Sequence, residues 1–100
     1  MALEIKENRG IYEILGNVTA QNLGALRIYF ENILETNKNI VINLENVSAI
    51  DSSSALFFES IYKEGAARNK VILIIGRQNK DISEIMCMTK TDYILSTDRI

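Results

Sequence analysis

One hundred residues, 47% apolar and 24% charged, make a single small globular domain and exclude a disordered chain. The net charge of −2 and the lack of a Lys/Arg run offer no basic face to a phosphate backbone, so no nucleic-acid partner is expected. Histidine is absent and cysteine occurs once, which removes the commonest general base, the usual metal sites and any internal disulfide.

Leu3 and Ile5 alternate with Glu4 and Lys6, the period of a half-buried strand. Asn8-Arg9-Gly10 marks a turn, and residues 11–15 form a second strand ended by Gly16-Asn17, so the chain opens with a hairpin. Thr19 is the expected cap of a first helix. There Leu23, Leu26, Phe30, Ile33 and Leu34 recur at spacings of three and four, to about Thr36. Asn37-Lys38-Asn39 breaks it. Ile40-Val41-Ile42-Asn43-Leu44 has the β-branched apolar character of a strand buried on both faces. Residues 45–50 read as a short connection with two apolar anchors.

Asp51-Ser52-Ser53-Ser54 is a dense set of capping residues before a second helix, whose apolar side carries Leu56, Phe57, Ile61 and Gly65. Asn69-Lys70 ends it. Val71-Ile72-Leu73-Ile74-Ile75-Gly76 is the most apolar stretch and predicts a central strand. Ile82, Ile85 and Met86, with Thr89, give one face of a third helix, and Tyr93-Ile94-Leu95 a last short strand. The order predicts an α/β domain over residues 1–100. It has a mostly parallel central sheet of four or five strands, an antiparallel N-terminal hairpin and three helices packed on the sheet.

Most candidates for chemistry fall away. Gly16 and Gly76 are isolated, so no glycine loop cradles a phosphate. Glu59 and Glu64 have no partner carboxylate at a useful spacing. Tyr12, Tyr29, Tyr62 and Tyr93 lie on different elements, and Arg68, Lys70, Arg77 and Lys80 read as a solvated scatter. Cys87, between Met86 and Met88, is expected to be a buried, inert thiol. No enzymatic activity, metal or cofactor is expected. The N-terminus lacks the apolar core of a signal peptide, and the run Val71–Ile75 is too short to span a bilayer. A cytoplasmic protein without direct membrane insertion is expected.

One polar cluster remains, Asp51-Ser52-Ser53-Ser54. It follows a buried strand and opens a helix, where loops of α/β sheets bind ligands and partners. Capping alone explains one of its residues. The first turn of a helix also tolerates added negative charge on a serine.

The segment from Ile40 through Asp51-Ser52-Ser53-Ser54-Ala55-Leu56, together with the element order, resembles the core of STAS domains as found in bacterial anti-sigma factor antagonists. Gly16-Asn17-Val18-Thr19 is similar to that family's turn before the first helix, and Val71 to Gly76 to its fourth strand. The resemblance implies a STAS fold and a protein-binding switch. By that resemblance the unmodified domain is expected to bind an anti-sigma factor that is a GHKL-type serine kinase, and so to regulate transcription. The kinase phosphorylates a serine and ends the interaction, and a PP2C-type phosphatase restores it. By motif position the acceptor is Ser53, with Ser52 and Ser54 as alternatives. Asp51, Ser52, Ser53, Ser54, Thr19 and Leu56 are then the partner-binding residues.

Two substitutions depart from the family pattern. Ser54 stands where the family has Gly, and Thr19 where the turn commonly ends in Asp. They motivate an alternative, a STAS scaffold or transporter-associated subunit that is not phosphorylated. The expected state is a monomer or weak homodimer. The first hairpin offers an edge for pairing, and Glu4, Lys6 and Glu7 discourage it.

Overall fold

The structure, a computed structural model, describes residues 2–96. Two strands, β1 (Glu4–Asn8) and β2 (Ile11–Val18), pair antiparallel from Glu4↔Leu15 to Asn8↔Ile11. The turn between them puts Arg9 at φ 53° and Gly10 at φ 82°. Two successive positive φ values match the right-handed twist of the flanking strands, and Gly10 takes this conformation without a Cβ clash.

A 3-10 turn (Ala20–Asn22) leads into helix α1 (Leu23–Thr36). Then come β3 (Asn39–Asn43), β4 (Val47–Ile50), α2 (Ser52–Ala67), β5 (Val71–Ile75), α3 (Lys80–Met88) and a last 3-10 turn (Asp92–Ile94). Strand β3 runs parallel between β2 and β5, with Tyr12↔Ile42 and Ile42↔Ile74 in register. The expected architecture is therefore present: a five-stranded sheet, antiparallel at its first pair and otherwise parallel, with three helices among the described residues.

The strands bury alternate residues. Tyr12, Ile14 and Val18 of β2, Ile40 and Ile42 of β3, and Ile72 and Ile74 of β5 enter the core. They meet Leu26, Phe30, Ile33 and Leu34 of α1, Ala55, Phe58 and Ile61 of α2, and Ile82 and Met86 of α3. Val41 is only half-buried, so β3 is not covered equally on both faces as its composition suggests.

Four further expectations are corrected. Strand β2 does not stop at Gly16. It passes through that glycine at φ 85° and continues to Val18. A Cβ at residue 16 would lie 2.1 Å from the Ala2 carbonyl oxygen, so both the backbone angle and the space demand glycine.

Residues 45–50 are not only a connection. Their second part is β4, which pairs parallel with the end of β2 (Gly16↔Val47, Val18↔Ile50), with a register shift after Gly16. Strands β3 and β4 thus occupy the same edge of β2 in succession. The excursion between them is held by Asn79, whose Nδ2 donates to the carbonyls of Leu44 (3.4 Å), Glu45 (3.0 Å) and Val47 (3.0 Å). The Oδ1 of the same residue caps α3 by accepting from the N–H groups of Asp81 and Ile82.

Residues 93–95 are not a strand. The 3-10 turn delivers only Leu95 to a single bridge with Ile74. Cys87 is exposed, not buried. Two of the scattered cations are also anchored. Arg77 donates to the Leu95 carbonyl and Lys70 to that of Asn37.

Candidate functional site

Strand β4 delivers the chain to Asp51, whose extended backbone (φ −114°, ψ 174°) ends the strand and opens α2. As N-cap, Asp51 accepts from the backbone N–H of Ser54 through Oδ1 at 2.9 Å. That bond satisfies one of the four N–H groups that a helix start leaves free. The same oxygen accepts from the Ser53 hydroxyl at 3.0 Å. Oδ2 reaches across to the β2–α1 connection and accepts from the Ala20 N–H at 2.9 Å. One carboxylate therefore ties the start of α2 to the turn that precedes α1.

Burial alone would raise the Asp51 pKa. The bonds from the Ser54 side chain, the Ser54 and Ala20 N–H groups and the Ser53 hydroxyl outweigh it, and the carboxyl is held below its ordinary value.

The three serines differ in what surrounds them. Ser52 and Ser53 are exposed, while Ser54 is fully buried. The Ser54 hydroxyl sits between the Val18 carbonyl oxygen (2.9 Å) and Asp51 Oδ1 (2.6 Å). It stitches α2 to the end of β2 and points away from solvent. Thr19 makes no side-chain capping bond. Its place in the cluster is through its neighbour Ala20, whose N–H meets Asp51.

Ser53 opens onto a shallow groove between α1 and α2, lined by Leu23, Arg27, Ser53, Leu56, Phe57 and Ser60. Leu56 is 51% exposed, an uncompensated apolar side chain next to the serine cluster. Arg27 lays its guanidinium 5.2 Å from the centre of the buried Phe57 ring, a cation–π contact. The site thus gathers Asp51, Ser52, Ser53 and Leu56 at one surface, with Ser54 beneath them. It adds Leu23, which the sequence places only on the apolar face of α1, and Arg27, which the sequence does not single out. Their one available signal was the four-residue spacing that sets them on the same face of α1.

The model of the STAS domain matches residues 1–97. The chain belongs to the STAS domain family. Among solved structures, the anti-sigma factor antagonist SpoIIAA in its unphosphorylated form is similar to this STAS domain with a TM-score of 0.74. The identity is 14%, over 95% of this chain and 86% of that one. An anti-sigma factor antagonist from Mycobacterium paratuberculosis gives a TM-score of 0.75 at 13% identity, over 94% of this chain and 81% of that one. At these identities the likeness is one of fold. No curated protein sequence matches the chain. No helix among the described residues of this STAS domain is long and apolar enough to cross a membrane.

Proposed function

We propose that this STAS domain is an anti-sigma factor antagonist switched by phosphorylation of Ser53. In this reading the free domain binds an anti-sigma factor of the GHKL serine-kinase class and so regulates transcription. The γ-phosphoryl group of ATP passes to Ser53 Oγ, ADP leaves, the hydroxyl proton is released, and the complex separates. A PP2C-type phosphatase hydrolyses the phosphoester and restores binding.

The observation that carries this reading is the exposed Ser53 hydroxyl, held 3.0 Å from Asp51 beside the exposed Leu56. A reactive serine must be reachable by a kinase, and an apolar residue beside it supplies contact area for a partner. The burial of Ser54 favours Ser53 over Ser54 as acceptor, and the tether to Asp51 favours it over Ser52. The added charge of about −1.5 to −2 at pH 7 then lies inside the contact surface. A loss of about 3 kcal/mol in binding corresponds to roughly two orders of magnitude in affinity.

The test is mass spectrometry of the protein from its own cells, growing and stressed, with pull-downs of Ser53→Asp and Ser53→Ala. A phosphate on Ser53 that changes with condition, and capture of a kinase by the Ala but not the Asp variant, are expected. A serine cluster unmodified in every condition, with both variants capturing the same partner, would replace the switch by the unphosphorylated scaffold.

A further inference from the structure

We infer that Arg27 is the intramolecular clamp for a phosphate on Ser53, drawing it off Asp51 and across the groove between α1 and α2. The inference rests on the reading of Ser53 as the acceptor and says what the phosphate does once there.

Three observations meet. The Ser53 hydroxyl spends its proton on Asp51 Oδ1 at 3.0 Å. A phosphoester has no such proton, so the attraction to Asp51 becomes repulsion between a dianion and a carboxylate. Asp51 cannot relieve this by moving, because it also holds Ala20 and Ser54. The phosphate must turn away, and Ser53 lines a groove to which Asp51 does not contribute.

Arg27 is the one cation among the residues lining that groove. Its guanidinium has no carboxylate partner among the described residues. It rests on the Phe57 ring at 5.2 Å. Phe57 lies one helical turn after Ser53, so the two share a face of α2 and their Cβ atoms stand about 5–6 Å apart. A planar guanidinium on a flexible three-carbon stem, lining the same groove as Ser53, is placed to reach the phosphate by turning its side chain. It offers the forked donors that fit phosphate oxygens. The clamped phosphate covers the groove between Leu23 and Leu56, so the surface is closed as well as charged.

The test places phosphoserine at position 53 of the full chain by genetic incorporation, with no kinase involved, and titrates it by 31P NMR. The free N–H groups at the start of α2 act on the phosphate in every variant, so differences between variants isolate Arg27. The second pKa of the phosphate, near 6 in a free phosphoserine, is expected to be lower with Arg27 than in Arg27→Gln by about half a unit. The difference should shrink in 1 M salt, and Arg27→Lys should recover part of it. The Arg27 Nε–H signal should also shift on phosphorylation as the ring contact with Phe57 is lost.

Equal phosphate pKa values with and without Arg27, together with an unmoved Arg27 signal, would overturn the clamp. That failure is distinct from failure of the acceptor reading, which the mass spectra of the native protein decide. Melting curves of the unphosphorylated Arg27 variants establish that they fold.

Discussion

Replacing Asp51 by Ala removes an acceptor shared by Ser53 Oγ, Ser54 N, Ser54 Oγ and Ala20 N. Loss of the N-cap bond costs about 1 kcal/mol. The Ser53 hydroxyl and the Ala20 N–H are exposed and turn to water, so their bonds add together no more than about 1 kcal/mol. Ser54 stays satisfied because the Val18 carbonyl remains at 2.9 Å.

The sum is about 1–2 kcal/mol, which for a domain of this size lowers Tm by roughly 5–12 °C. Asp51→Asn keeps an acceptor at the cap and should lose less than half of that. Acid separates the two causes. The folded Asp51 carboxyl has a lowered pKa, so its contribution is present above the unfolded value of about 4. It is lost as pH falls through the folded value. Thermal unfolding followed by circular dichroism at pH 7 and pH 3 should show the gap between wild type and Asp51→Asn closing in acid. An Asp51→Ala Tm equal to wild type, or a gap that does not move with pH, would refute the argument.

Gly16→Ala forces a Cβ to 2.1 Å from the Ala2 carbonyl at φ 85°. It should destabilise by about 2 kcal/mol or more, read from denaturant midpoints. Asn79→Ala removes a side chain that bridges three carbonyls of the β3–β4 excursion and caps α3. A loss of about 2–3 kcal/mol is expected, with amide exchange rising first at residues 44–47. Cys87, being exposed, should react fully with a maleimide in the folded protein and leave Tm within a degree or two. Leu56→Ala, at a 51% exposed position, should change stability by less than about 0.5 kcal/mol while weakening capture of the proposed anti-sigma partner.

The regular elements were legible because their periods are clean. The alternation of Leu3 to Lys6 gave β1, and the three-and-four spacing from Leu23 gave α1. Strand β4 hid because it has four residues and no alternation: Val47 is buried, Ser48 and Ala49 are exposed, and Ile50 is half-buried. It exists through its pairing with the far end of β2, a contact that no local pattern contains. Residues 93–95 have the composition of a strand, and backbone geometry overrides it, since the 3-10 turn brings only Leu95 into the sheet plane. The neighbours of Cys87 do not report its exposure. A helix turns about 100° per residue, so a buried Met86 says nothing of residue 87, and Met88 is 77% exposed. At the site, Asp51 and the serines could be read as a cap, whereas their bonds to Val18 and Ala20 span more than thirty residues.

Three consecutive serines at one helix start are interchangeable in composition, and the same 100° rotation makes them unlike. Ser54 is turned inward and its hydroxyl is consumed by Val18 and Asp51, so a phosphate there would have to break the cap and open the core. Ser53 is turned outward yet held by the same carboxylate. A charge added at Ser53 falls on a surface whose two backbone segments Asp51 has already fixed. Two unit charges 4 Å apart in water repel by about 1 kcal/mol, so a phosphate of about −2 beside Asp51 costs about 2 kcal/mol, less than the roughly 5–15 kcal/mol that holds a domain of ordinary stability folded. That repulsion is large enough to choose a rotamer of Ser53 and to spoil a partner interface that depends on a few close contacts. A rigid pin beside a movable hydroxyl therefore suits a switch that acts by charge and leaves the fold alone.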